Sequence, residues 1–158
     1  TSSPDGKTLY CVADHGIWAV RSAGGAPVRI HDGDSVTIDP DGKFLVAITG
    51  IAAKLQVYKV PLDGGAPIEI VLQGDLRPTQ FLGPHGVSRD GRLLTPLASA
   101  SSWYYLPGVI DVASGRAALV PTDVPGDYRS MTWTADGQII AIAAPFRSSV
   151  WKFSPTPQ

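Results

Sequence analysis

The chain has no asparagine, a single glutamate, Glu69, and a single cysteine, Cys11, among its 158 residues. One thiol cannot close an intramolecular disulfide, and it cannot supply the paired cysteines of a zinc site built on them. No stretch approaches the roughly 20 apolar residues of a membrane-spanning helix. Charge is sparse as well. The 13 basic and 14 acidic side chains are scattered without a basic run or an acidic tail and leave a net charge of −1. Such a surface does not neutralise a row of phosphates, so nucleic acid is a poor candidate partner. No signal-peptide pattern stands at the start, but a chain that opens on Thr1 rather than Met says little about export.

What is present is apolar content and turn residues: 44% hydrophobic, with 17 Gly and 14 Pro. That mixture suits many short strands joined by turns, and it is too apolar for a disordered chain. The length fits one domain. An internal repeat then organises the whole sequence. Ser-Pro-Asp-Gly-Lys at 3–7, Asp-Pro-Asp-Gly-Lys at 39–43, Ser-Arg-Asp-Gly-Arg at 88–92 and Thr-Ala-Asp-Gly-Gln at 134–138 each precede an apolar run, at intervals of 36, 49 and 46 residues. Gly-Gly-Ala-Pro at 24–27 and 64–67 keeps phase with them, and Ser114-Gly115-Arg116 holds the equivalent place in repeat three.

Each unit has a readable physical logic. Asp-Gly between two apolar runs is a hairpin signal, because Gly tolerates positive φ and Asp bonds backbone across the turn. The run after it is nearly all apolar, as a strand covered on both faces requires. A third strand alternates, with Ile17 and Ala19 opposing Trp18 and Val20, and an outer strand starts at Pro27 or Pro67, where a missing donor is tolerated. Four short strands every 40 to 45 residues or so is the period of a propeller blade. The predicted fold is therefore all-β: a β-propeller of tandem four-stranded antiparallel blades. A little under four are present, at about 1–34, 35–73, 85–121 and 130–156. A closed ring usually needs four to eight blades, so the expectation is a part of a longer propeller, with ring completion by two copies as the alternative. Open blade edges would favour such self-association.

These units, Ser-Pro-Asp-Gly-Lys-x-Leu followed by Ile17-Trp-Ala-Val or by Val57-Tyr-Lys-Val-Pro-Leu-Asp-Gly-Gly-Ala-Pro, resemble the repeats of TolB-like β-propellers across essentially the whole chain. The resemblance is specific for fold and weak for function. It implies protein or ligand binding on a ring face, no cofactor, and a periplasmic or otherwise extracytoplasmic setting. It also admits a sensor region attached to a bacterial kinase or regulator.

The blade register sorts the loops into two rims. The Asp-Gly and Gly-Gly-Ala-Pro turns fall on one. The other is expected to gather Asp14, His15, His31, Asp32, Asp34, Arg77, His85, Trp103, Tyr104, Tyr105, Asp127, Tyr128, Phe146 and Arg147. Function on such scaffolds resides in loops, and this rim is the richer in His and aromatics. His15 beside Asp14, and His31 ahead of Asp32 and Asp34, admit a metal or acid-base reading, although ordinary polar turns explain both. His85, in Gly-Pro-His-Gly, reads the same way. Trp103, Tyr104 and Tyr105 fall in the longest predicted loop, 98–108, and are the natural anchors for a partner. Trp18, Trp133 and Trp151 read as packing residues.

The function these features imply is a non-enzymatic interaction module. The enzymatic alternative is a calcium-dependent lactonase or gluconolactonase-type hydrolase with its metal site partly outside the chain. That class uses Glu, Asn and Asp oxygens, and a chain with no Asn and with Glu69 in an outer strand cannot assemble that set alone. No Gly-x-Ser-x-Gly elbow is present for a serine hydrolase. No metal site or catalytic set is assigned.

Overall fold

The computed structural model describes residues 1–51 and 54–145. Phe146, Arg147, Trp151 and the expected third strand of blade four lie outside the described residues. Four antiparallel sheets follow one another along the chain, with no α-helix among the described residues. The first orders β1 (Thr8–Ala13), β2 (Gly16–Arg21) and β3 (Val28–Asp32) from inside out, and Ser2 bridges Leu9 as the end of an inner strand. The second orders β4 (Ser35–Ile38), β5 (Phe44–Thr49), β6 (Gln56–Pro61) and β7 (Ile68–Glu69). The third orders β8 (Arg77–Pro78), β9 (Arg92–Ser99), β10 (Ser102–Asp111) and β11 (Ala117–Leu119). The last described sheet pairs β12 (Asp127–Trp133) with β13 (Ile139–Ala144).

The four Asp-Gly turns share one hydrogen-bonding scheme. The glycine N–H donates to the carbonyl three residues back in every copy: Gly6 to Ser3, Gly42 to Asp39, Gly91 to Ser88 and Gly137 to Thr134, at 2.9 to 3.1 Å. All four glycines sit at φ between 69° and 82°, which a side chain would strain. The first residue of each motif then locks the turn. Ser3, Ser88 and Thr134 each accept a backbone N–H through the side-chain hydroxyl and donate that hydroxyl to the motif's Asp. In the second copy Asp39 takes the role alone, accepting from Asp41, Lys43 and Phe44.

The core lies between blades. Along β5, Leu45 and Ala47 pack toward the first sheet with Tyr10, Ile17 and Ile38, whereas Val46 and Ile48 face the third with Leu93, Leu97 and Ile110. Leu94 continues the pattern against Tyr128 and Met131 of the fourth sheet. Alternate residues of one apolar strand thus bury into different interfaces.

The innermost strand of the third sheet departs from simple regularity. Arg77 and Pro78 already pair with Ala98 and Leu97, ahead of residue 85, and pairing resumes only where Val87 meets Leu93. Between them the backbone turns sideways. Leu82 N–H donates to Ser35 Oγ and Gly86 N–H to Thr37 Oγ1, while Thr132 Oγ1 donates to the Pro84 carbonyl. A Cβ on Gly83 would stand 1.9 Å from the Met131 carbonyl oxygen. The segment therefore stitches the second sheet to the fourth, and only glycine allows so close an approach.

Candidate functional site

Among the described residues, the loops of the rim opposite the Asp-Gly turns differ from blade to blade. The β1–β2 hairpin closes through Asp14 and His15, at φ 48° and 56°, the double left-handed geometry of a two-residue turn whose twist suits the strands. The turn thereby aims His15 across to the next blade. Its Nδ1 stands 2.6 Å from Asp34 Oδ1, and Asp34 Oδ2 accepts the Gly50 N–H at 2.8 Å. Gly33 N–H donates to the His15 carbonyl, and Gln80 Nε2 to the Gly50 carbonyl. Three blades meet in this network. It borders an open bowl of about 710 Å³ lined also by Arg29, Asp32 and Thr49, with Arg29 paired to Asp32 at 2.7 Å.

The hydrogen bond to Asp34, and then its charge, raise the His15 pKa above the ordinary value. The same bond, followed by the Gly50 N–H, lowers that of Asp34. The His15 side chain is 87% exposed, so the pair is an oriented, solvent-facing dipole rather than a buried dyad. Among the described residues no three His, Cys, Asp or Glu side chains converge as metal ligands.

The other residues singled out in the sequence separate into distinct environments. His31 lies tilted on the Tyr58 ring, centroids 5.0 Å apart, and its Nδ1 bonds the Asp32 carbonyl, a packing contact between the first two blades. Arg77 curls back, Nη1 donating to the carbonyls of Gly74 and Leu76. Tyr128, expected on the rim, is 5% exposed and belongs to the core with Leu94 and Met131. Its hydroxyl bonds Thr122 and the Val124 carbonyl, pinning the connection into the last sheet. His85 lies at the other rim. The sideways excursion of residues 82–86 brings it among the Asp-Gly turns, where it lines a separate cleft. Asp39, Ser35 and Thr37 carry structural roles the sequence reading did not assign; the only signal was a polar residue recurring at the first position of each turn motif and inside an apolar inner strand.

The predicted loop 98–108 is instead a long hairpin. β9 runs to Ser99, Ala100 and Ser101 reverse the chain, and β10 starts at Ser102 with a bulge before Leu106. Trp103, Tyr104 and Tyr105 ride on that bulged segment. Trp103 is 100% exposed, and Tyr104 and Tyr105 are also exposed. Tyr105 N–H donates to Asp127 Oδ1 at 2.8 Å, so the arm is braced against the last sheet. A bulge re-aims side chains where a regular strand would pack them, which accounts for three adjacent aromatics facing solvent.

Solved structures with this arrangement settle the architecture. TolB from Acinetobacter baumannii superposes with a TM-score of 0.70 at 16% identity, over 93% of this chain and 37% of its own. A protein described as putative TolB from Agrobacterium tumefaciens gives 0.68 at 20% identity, over 90% of this chain and 52% of its own. The fold is that of a TolB-like β-propeller. A chain of the Kuenenia stuttgartiensis hydrazine synthase structure is also similar, with a TM-score of 0.62 at 22% identity, over 93% of this chain and 42% of that one. This TolB-like chain thus spans between about a third and a half of the length of the structures it resembles. No family model matches its sequence, and no curated protein does.

Proposed function

We propose that this TolB-like propeller segment is a non-catalytic interaction module that captures a protein partner on its loop-rich rim. The observation that carries the reading is Trp103, wholly exposed on a braced hairpin beside two further exposed aromatics. A tryptophan left in water on a rigid support is the typical anchor of an interface, because its large apolar surface is recovered when a partner closes over it at little entropic cost. The His15–Asp34 pair and the Arg29–Asp32 pair supply polar groups on the same rim that orient such a partner.

The test is selection of displayed peptides on the immobilised chain, followed by titration of the winners against Trp103→Ala and Tyr105→Ala. Losses of more than about tenfold are expected for Trp103→Ala, in line with interface tryptophans elsewhere. Unchanged affinity in both variants rejects the reading. So does turnover of a lactone or ester panel that His15→Ala abolishes, which would make the rim a hydrolase site.

A further inference from the structure

The Asp-Gly turns look self-contained, yet the third and fourth of them flank a cleft of about 590 Å³, within the usual size range of small-molecule sites. Pro40, Val87 and the Trp133 ring give it apolar walls; His85, Arg89 and Asp136 are among its polar lining. We propose that this inter-blade cleft binds a small amphipathic carboxylate, its apolar body against Trp133 and Val87 and its carboxylate on the Arg89 guanidinium.

The walls are fixed before any ligand arrives. The Trp133 backbone N–H donates to the His85 carbonyl and Thr132 Oγ1 to that of Pro84, so the third and fourth blades are bonded to each other beside the cleft. His85 is held at φ 54°, outside any hairpin turn, by this anchoring on one side and the Gly86 to Thr37 bond on the other. Arg92, itself part of the lining, lies over the Trp133 ring at 5.5 Å and pairs with Asp90 at 2.7 Å, which positions the ring.

The charges then select the ligand. Asp90 is occupied by Ser88 and Arg92, and Asp136 by Thr134 and Gln138. Asp41, on the second blade, pairs with Lys43 at 2.7 Å. Arg89 makes no hydrogen bond or ion pair among the described residues; its charge acts on Asp41 from beyond pairing distance, which leaves the guanidinium donors open to a carboxylate. Two cations, Arg89 and Arg92, and two carboxylates, Asp90 and Asp136, line the cleft; with Arg92 paired to Asp90, the remaining balance of Arg89 against Asp136 favours a monoanion over a phosphate dianion. The apolar walls require that the anion carry a hydrophobic body. The site is separate from the aromatic rim, and neither depends on the other.

Phenylacetate is a suitable probe, with phenylacetamide as its neutral twin. Titration of the full chain followed by amide NMR is expected to show saturable binding with a Kd on the order of a millimolar, as for other ligands of that size. The shifts should centre on residues 85–92 and 133–137. Arg89→Ala, an exposed substitution outside the core, should weaken phenylacetate about tenfold. Arg89→Lys should weaken it less. Equal binding of phenylacetamide, an Arg89→Ala affinity equal to that of the parent, shifts centred elsewhere, or no saturation each overturns the proposal.

Discussion

The two rims of this propeller segment are made by opposite means. On one, four turns repeat the same glycine conformation, the same carbonyl acceptor and the same first-residue lock, so their backbone groups are satisfied within the motif. On the other, no two loops are alike among the described residues. A tight Asp14-His15 turn and a long aromatic hairpin occupy equivalent places in the first and third sheets, and a His15–Asp34–Gly50–Gln80 network ties three blades together. Repetition is what the fold needs from a turn, and variation is what recognition needs from a loop. Substitutions on the first rim should therefore cost stability, and substitutions at the tip of the second should cost binding.

The largest effect is expected at Gly115, in the β10–β11 turn at the Asp-Gly end of the strands. It has φ 72°, and an added Cβ would stand 1.9 Å from the Val71 carbonyl oxygen. Gly115→Ala should lose about 3 kcal/mol in urea unfolding, from backbone strain together with a clash that forces the blades apart. Asp39→Ala comes next. It removes a buried carboxylate that accepts from three N–H groups of a part-buried turn and should lose about 2 kcal/mol. Gly137→Ala is milder still, about 1 kcal/mol, because φ is 82° but nothing lies within 4 Å of the new methyl group. An equal loss at Gly115 and Gly137 would show that the packing of blade on blade at Val71 has no consequence.

The His15–Asp34 pair sharpens the contrast through pH. With its pKa raised in the folded chain, His15 contributes its full stabilisation below the ordinary histidine value of about 6.5 and loses it as pH rises through the raised value. Asp34, with its pKa lowered, contributes above the ordinary Asp range and loses that contribution as pH falls. The pair is thus fully engaged in mildly acidic solution. An NMR titration should place the His15 midpoint above 6.5, and Asp34→Ala should return it toward that value. A midpoint indifferent to Asp34→Ala would mean the contact is not populated.

Much of the fold was legible because local rules and the global repeat agree: Asp-Gly, a run covered on both faces, an alternating strand, a Pro-led outer strand. Leu45 to Ile48 are fully buried, as their apolar run requires. Equivalent runs in β1 and β13 leave Leu9, Val12, Ile140 and Ile142 exposed, since burial on both faces depends on a flanking blade and not on the strand's own composition. The rim positions were less legible. His85 was expected on the same rim as His15, but the bonds that swing its segment sideways join residues 47 and 49 apart in sequence, which no local pattern reports. Tyr128 read as a loop aromatic because its partner Leu94 lies in another blade. The hairpin under Trp103 read as a loop because its reversal at Ala100 and Ser101 carries no glycine or proline.

The central claim is that the exposed aromatic hairpin serves a partner and not the fold. Equilibrium urea unfolding of Trp103→Ala tests it most directly. A side chain with no buried surface should leave stability within about 0.5 kcal/mol of the parent chain. A loss of about 2 kcal/mol, comparable to that at Asp39, would place Trp103 in the packing of the blades and contradict the assignment of this rim.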